Sequence, residues 1–209
     1  MVQQSDGNLV YDSPEETDQY LHKKQGSAYS NFQGTCGLCS CANILRLAGV
    51  NATEAQMIEY AATTDNPWYS GEKLCAVGKP DPGHNGGTSP YDRQQILAHF
   101  GLQSDIVPLS DAQSGDLYND ALVMISDNVC AGRGVIISVF ARVLWHNNPY
   151  DRHGRHAVSV TSVKKAANGN LLGFYICDSA RNGTTYYPAA LLQKALTGGA
   201  MNVTRSIIR

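Results

Sequence analysis

Three cysteines fall within the short stretch Gln33-Gly34-Thr35-Cys36-Gly37-Leu38-Cys39-Ser40-Cys41, just after a glycine-bearing turn and at the start of an apolar run in helical spacing. A thiol at a helix N-terminus sits at the positive end of the helix dipole, which favours the thiolate and so a nucleophile. The plain alternative is three small buried side chains, because free cysteine is among the most buried residue types. A base and an orienting acid decide between the two. His156 opens the strand-like run His156-Ala157-Val158-Ser159-Val160, and Asp178 closes the run Leu171 to Cys177 across the hairpin turn Asn168-Gly169. Antiparallel pairing sets the start of one strand beside the end of the next. A carboxylate there can hold the imidazole in one tautomer and stabilise its protonated form. Thiolate, imidazolium and orienting acid are the equipment of acyl transfer through a thioester. Taken singly, His156 and Asp178 read as loop and turn residues; in this order and topology they read as a catalytic set with a helix-start cysteine. His22, His84, His99, His146 and His153 begin no strand beside a carboxylate-ended partner.

The elements that must position these groups follow from period and punctuation. Residues 1–12 read as a loose leader. Ser13-Pro14-Glu15-Glu16 reads as a helix start, with Ser as N-cap, Pro at N1 and Glu at N3, running to Gln25-Gly26. Ser27 to Thr35 is a polar loop. From Cys36, the residues Leu38, Cys41, Ala42, Leu45 and Ala48 keep helical spacing up to a stop at Gly49, while Ile44 and Leu47 widen the apolar stripe. This helix is expected to be buried on most sides. Thr53-x-x-Gln56 opens a second helix, to about Ala62.

Residues 63–89, with Pro67, Pro80 and Pro82, form the longest irregular segment and are expected to line a cleft, since loops of this length are usually functional or mobile. Ser89-Pro90 opens a helix that Gly101 closes. Ile106 to Leu109 is a short strand, and residues 116–130 a helix. Val135 to Phe140 reads as a buried strand. Residues 142–155 read as a polar loop carrying Trp145, which walls the cleft or packs beneath the histidine. The hairpin follows, then a helix from Pro188 to Leu196 and a strand from Asn202 to Ile208. Helices first and antiparallel strands later make an α+β fold. The N-terminal helical half carries the nucleophile helix and packs on a C-terminal, mainly antiparallel sheet.

Composition narrows the function. The 209 residues suit one domain, and the formal net charge of −2 gives no electrostatic reason to expect nucleic acid or an anionic membrane as partner. No run reaches the roughly 20 apolar residues of a membrane span, and the polar, acidic N-terminus does not read as a signal peptide. Without an export signal the six cysteines are expected to be mostly reduced. Cys36-x-x-Cys39 has no second Cys-x-x-Cys or His pair downstream, so no metal is expected, and no cofactor.

These motifs carry a resemblance. Gln33 to Cys39 resembles the active-site string of the papain-like cysteine peptidases, His156-Ala157-Val158 is similar to their catalytic His-Ala-Val, and Gly173 to Ser179 resembles their final catalytic strand, with Asp178 where papain has Asn. Papain's register would select Cys39, with Gln33 in the oxyanion hole, but Ser40 replaces the aromatic residue that follows that nucleophile. A second register is similar to the Cys-Gly-Leu helix of phytochelatin synthases, with related helices in bacteriocin-processing peptidases and papain-fold bacterial toxins. That register selects Cys36, and it puts Ser30 in the usual glutamine position. A nucleophile belongs in the first helical turn, so Cys36 is the expected one, with Cys39 and Cys41 as packing residues.

The resemblance implies a cysteine protease with a Cys36–His156–Asp178 triad, and Gln33 together with the Cys36 amide at the oxyanion. It implies a protein substrate and a bacterial effector or toxin domain, secreted or delivered as part of a larger effector, acting in a target-cell cytoplasm and blocked by a cognate immunity protein. A deamidase or transferase on the same triad is the alternative, and a non-catalytic binding module a further one.

Overall fold

The computed structural model describes residues 1–11, 18, 19, 21, 22, 24–109 and 117–209, with backbone only for 117–120. Among them are six α-helices and an eight-stranded sheet, an α+β arrangement. The helix start at Ser13-Pro14-Glu15-Glu16 lies outside the described residues. Helix α1 (Cys36–Leu47) starts at the thiol and is buried from Gly37 to Leu45; burying Leu38, Ile44 and Leu45 contributes about 1.5–3 kcal/mol each. Gly49, at φ +81°, ends it in the left-handed conformation that glycine adopts without strain. Helices α2 (Glu54–Thr63) and α3 (Pro90–His99) both open with capping boxes, Thr53 with Gln56 and Ser89 with Asp92.

The sheet is antiparallel throughout. Its path runs β1 (Val2–Gln3), β2 (Leu9–Tyr11), β5 (Arg155–Lys165), β4 (Arg133–Phe140), β8 (Ala200–Ile207) and β3 (Ser104–Pro108). Strands β6 (Leu171–Asp178) and β7 (Gly183–Pro188) branch from the other side of β5. Alternation along β4 divides the interior. Val135, Ile137 and Val139 face one cluster with Ile125, Phe174 and Leu192, served by α4 (Leu117–Cys130), α5 (Ala141–His146) and α6 (Ala189–Ala195). Ile136 faces the other cluster with Leu38, Ile44 and Met57 of α1 and α2.

Two readings change, and one strand is added. The leader is not loose over its described part: β1 and β2 pair with each other, and β2 extends the sheet along β5, with Ser162 Oγ donating to the Tyr11 carbonyl. Residues 142–155 are not wholly loop, because α5 covers Ala141–His146, buries Val143 and Leu144, and ends at Asn147 in the left-handed region. Its single turn and a half is too short to display a period. Strand β7 fell inside the polar stretch after Asp178; its Thr and Tyr residues suit a half-buried strand, and Pro188 sits at its end.

One buried carboxylate ties the loop before α1 to α2. Glu54 accepts hydrogen bonds from the Gly26, Ser27 and Ala28 amides, from Ser27 Oγ and from Thr35 Oγ1, with His22 Nε2 at 3.4 Å. Burial alone would raise its pKa, but these donors, His22 first, hold it far below the usual carboxylate range. Because the folded value lies below the unfolded one, its contribution to stability is full above about pH 4.3 and is lost as pH falls towards the depressed value. Glu54→Ala leaves these donors without their acceptor and is expected to cost about 3–5 kcal/mol in urea unfolding. It should also remove much of the stability slope between pH 5 and the acid transition seen by circular dichroism (about pH 2–5).

Candidate active site

The nucleophile helix and the sheet meet edge-on. Cys36, half-buried at the first position of α1, takes a hydrogen bond on Sγ from the Ala157 amide of β5 at 3.4 Å, and Ser159 Oγ of the same strand reaches the Ser40 carbonyl. The residue after the thiol must be glycine, since a Cβ at Gly37 would lie 2.0 Å from Thr88 Oγ1 and 3.4 Å from Arg93 Cδ. Gly34 is pinned by the segment 82–85: its amide donates to the Asn85 carbonyl, and a Cβ there would lie 2.4 Å from the Gly83 carbonyl. The long irregular segment therefore lines the cleft, as its length suggested.

His156 stands beside Cys36. Its Nε2 donates to Asp178 Oδ1 at 2.7 Å, which leaves Nδ1 for the hydrogen bond with the Cys36 sulfur. The Asp178 carboxylate is fully buried and fixed by two further donors, the Ala180 amide at 2.9 Å and Trp145 Nε1 at 2.7 Å. Trp145 also packs edge-on against the His156 ring, with centroids 5.6 Å apart, and the Arg181 guanidinium covers its outer face at 4.8 Å. Neither Trp145's hydrogen bond nor its helix was visible in the sequence, where only an aromatic residue before the histidine marked the place.

Charge follows geometry. Burial pushes the Cys36 thiol up, but the hydrogen bond and charge of His156 outweigh it and hold the thiol below its ordinary value. Burial pushes His156 down, but Asp178 and Cys36 outweigh it and raise the imidazole to about 10. Asp178 is lowered, its desolvation outweighed by the bond to His156. The arrangement favours a thiolate–imidazolium pair and can transfer an acyl group. Cys39 lies one turn further in, wholly buried, its thiol pushed well up by burial and by the Glu54 charge. Cys41 is pushed up to about 12 by burial.

Gln33 is not brought to the cleft. It is exposed, and its Nε2 donates to the Ser30 carbonyl at 3.3 Å. Gln25 lines the cleft of roughly 640 Å³ together with Cys36 and His156. Gln25 is held by its amide on the Ser179 carbonyl, by Ser179 Oγ on its Oε1 and by its own Nε2 on the Gln33 carbonyl. Eleven residues before the thiol and next to a glycine, it read as a helix end, and only its through-space pairing with Ser179 brings it to the cleft. If its amide donates to a developing oxyanion, Gln25→Ala lowers kcat about 10²–10³-fold with little change in folding, read by steady-state hydrolysis of a cleaved peptide.

His22, Cys39 and Glu54 place three possible metal-ligand atoms within 4.8 Å of one another. The Glu54 oxygens are already committed to the 26–28 amides and Thr35, and the Cys39 thiolate is disfavoured, so this donor set serves the fold.

No family model matches the chain, and no curated protein does. Among solved structures, the crystal structure of a double glycine motif protease from an AMS/PCAT transporter in complex with the leader peptide superposes with a TM-score of 0.48 at 12% identity, over 89% of this chain and 97% of that protease.

Proposed function

We propose that this chain is a papain-like cysteine peptidase that cleaves a protein substrate through a Cys36–His156–Asp178 triad. The observation that carries the reading is the convergence of a half-buried, helix-start thiol, a ring held at Nε2 by a buried carboxylate, and an open cleft in front of both. Cys36 attacks the carbonyl carbon and His156 holds the proton that it later delivers to the leaving amine. Asp178 keeps the ring in the tautomer that faces the sulfur, while Gln25, which lines the cleft, and the Cys36 amide at the start of α1 serve the oxyanion.

The likeness of the Gly-Thr-Cys-Gly-Leu helix to papain-fold effectors supports a bacterial effector or toxin domain, acting in a target-cell cytoplasm and restrained by an immunity protein. Expression of wild type and Cys36→Ala in a bacterium, with growth and protein termini compared, tests this. Growth arrest and new termini in the wild type alone are expected. Side-chain mass changes without new termini would replace hydrolysis with deamidation or transfer, and identical growth and proteomes would remove both the toxin and the enzyme reading in that host.

A further inference from the structure

Arg93 is among the largest fully buried side chains, 1% exposed, yet it lines the cleft beside the thiol. Its partners are neutral: Nε donates to Asn202 Oδ1 at 2.9 Å and Nη2 to Ser138 Oγ at 3.2 Å. Among the described residues no carboxylate comes within ion-pair distance, and Nη1 makes no hydrogen bond. A buried arginine without an acid is exceptional, because desolvating a cation is costly unless something neutralises it.

Its neighbourhood points the same way. The charged and titratable groups along the cleft are Cys36, Arg93, Arg155, His84 and His156, with no Asp or Glu, so the Cys36 thiolate is the one anion there against these cations, although the chain as a whole carries a net charge of −2. Thr88 Oγ1, which with Arg93 crowds Gly37, is buried and without a partner. Arg93 and Thr88 both border Gly37 and line the cleft, so an uncommitted guanidinium nitrogen and an uncommitted hydroxyl belong to the residues next to the nucleophile, and a carboxylate would give both an acceptor.

We propose that Arg93, with Thr88, forms a carboxylate-binding subsite in the cleft, so that the substrate bears an acidic group next to the carbonyl that Cys36 attacks. The group is an Asp or Glu side chain or a chain-terminal carboxylate. This rests on the peptidase reading for its substrate, though not for its electrostatics, and two measurements keep them apart.

The first is alkylation of Cys36 in the full chain by iodoacetate, an anion, and iodoacetamide, its neutral analogue. A guanidinium that merely stabilised the thiolate would speed both reagents alike, whereas an anion subsite speeds iodoacetate alone. The rate ratio of iodoacetate to iodoacetamide is expected to exceed that of free cysteine about tenfold or more, as unit charges a few ångströms apart in a half-buried site require. Arg93→Gln should lower the ratio severalfold, to the level that His156 and Arg155 alone support. Asn202→Asp, which sets a carboxylate against Nε and neutralises the guanidinium where it stands, should do the same even if Arg93→Gln does not fold. A wild-type ratio equal to that of free cysteine, or one that a folded variant of either kind leaves unchanged, overturns the proposal.

The second is cleavage of internally quenched peptide libraries carrying either a free acid or an amide at the C-terminus. Enrichment of Asp or Glu beside the cleaved bond supports the side-chain source, and dependence on the free C-terminus supports the terminal one. Cleavage without either preference overturns the subsite and leaves the peptidase. Absence of cleavage with the iodoacetate preference intact overturns the peptidase and leaves the anion site.

Discussion

Cys36→Ala is expected to lower kcat/KM for peptide hydrolysis about 10⁴-fold or more, while Cys39→Ala leaves it within a few-fold. The two thiols are three residues apart on one helix, and their environments are opposite. Cys36 lines the cleft and carries hydrogen bonds from Ala157 and His156 that favour the anion. Cys39 faces Glu54, whose charge disfavours it, and is closed off from solvent. Fluorescent iodoacetamide should therefore modify Cys36 first near neutral pH, as mapped by peptide mass, and its modification should abolish turnover. Equal labelling of the two, or activity surviving in Cys36→Ala, would remove the thioester mechanism.

The second large effect is at Asp178. Asp178→Ala deprives His156 of its acceptor at Nε2 and leaves Trp145 Nε1 without a partner in a buried site. A loss of about 10²–10⁴-fold in kcat is expected, with about 3–5 kcal/mol of stability. Asp178→Asn separates orientation from charge, since an amide oxygen can still accept from the ring. It should retain only part of the stability, because the amide NH2 then meets the Trp145 Nε1 donor whose hydrogen bond the second carboxylate oxygen accepts, and it should move the pH profile. Activity rises as Cys36 loses its proton through a lowered pKa and falls as His156 loses its own near 10. Without the carboxylate charge the imidazole is less basic, so the alkaline limb shifts to lower pH while the thiol, less well supported, moves the acid limb up. A narrower bell in the Asn variant is the expected result, and an unshifted alkaline limb would show that His156 does not set it. Because the folded His156 pKa lies above the ordinary histidine value of 6.5, its contribution to stability is full below that value and disappears as pH rises through about 10.

How much of this was legible in the sequence depends on how local the signal was. Helix α1 was, because its apolar stripe and Gly49 lie within one window, and so was the pairing of His156 with Asp178, because a hairpin fixes which strand ends meet. Gln25 was not. Its place depends on Ser179, 154 residues away, and on Glu54 drawing in the 26–28 loop. Gln33, adjacent to the motif, looked the better donor, yet the backbone turns its side chain back to Ser30. Arg93 escaped notice for a related reason: a single arginine on a polar-looking helix carries no period, and α3 buries it only because β4 and β8 supply Ser138 and Asn202. The N-terminal strands were hidden because a two- or three-residue strand shows no alternation, and its stability comes from β5 far along the chain.

The hydrogen bond from Ala157 to Cys36 has a consequence in time. The two residues are 121 positions apart, so the thiol leaves the ribosome long before the strand that brings its base. At roughly 5–20 residues per second the interval is on the order of ten seconds. Through that interval the cysteine is an ordinary thiol on a nascent helix, with neither imidazole nor carboxylate to charge it. The thiol gains those partners only when β5 and β6 have been synthesised and have docked on α1, so it stays ordinary until more than a hundred further residues have followed it.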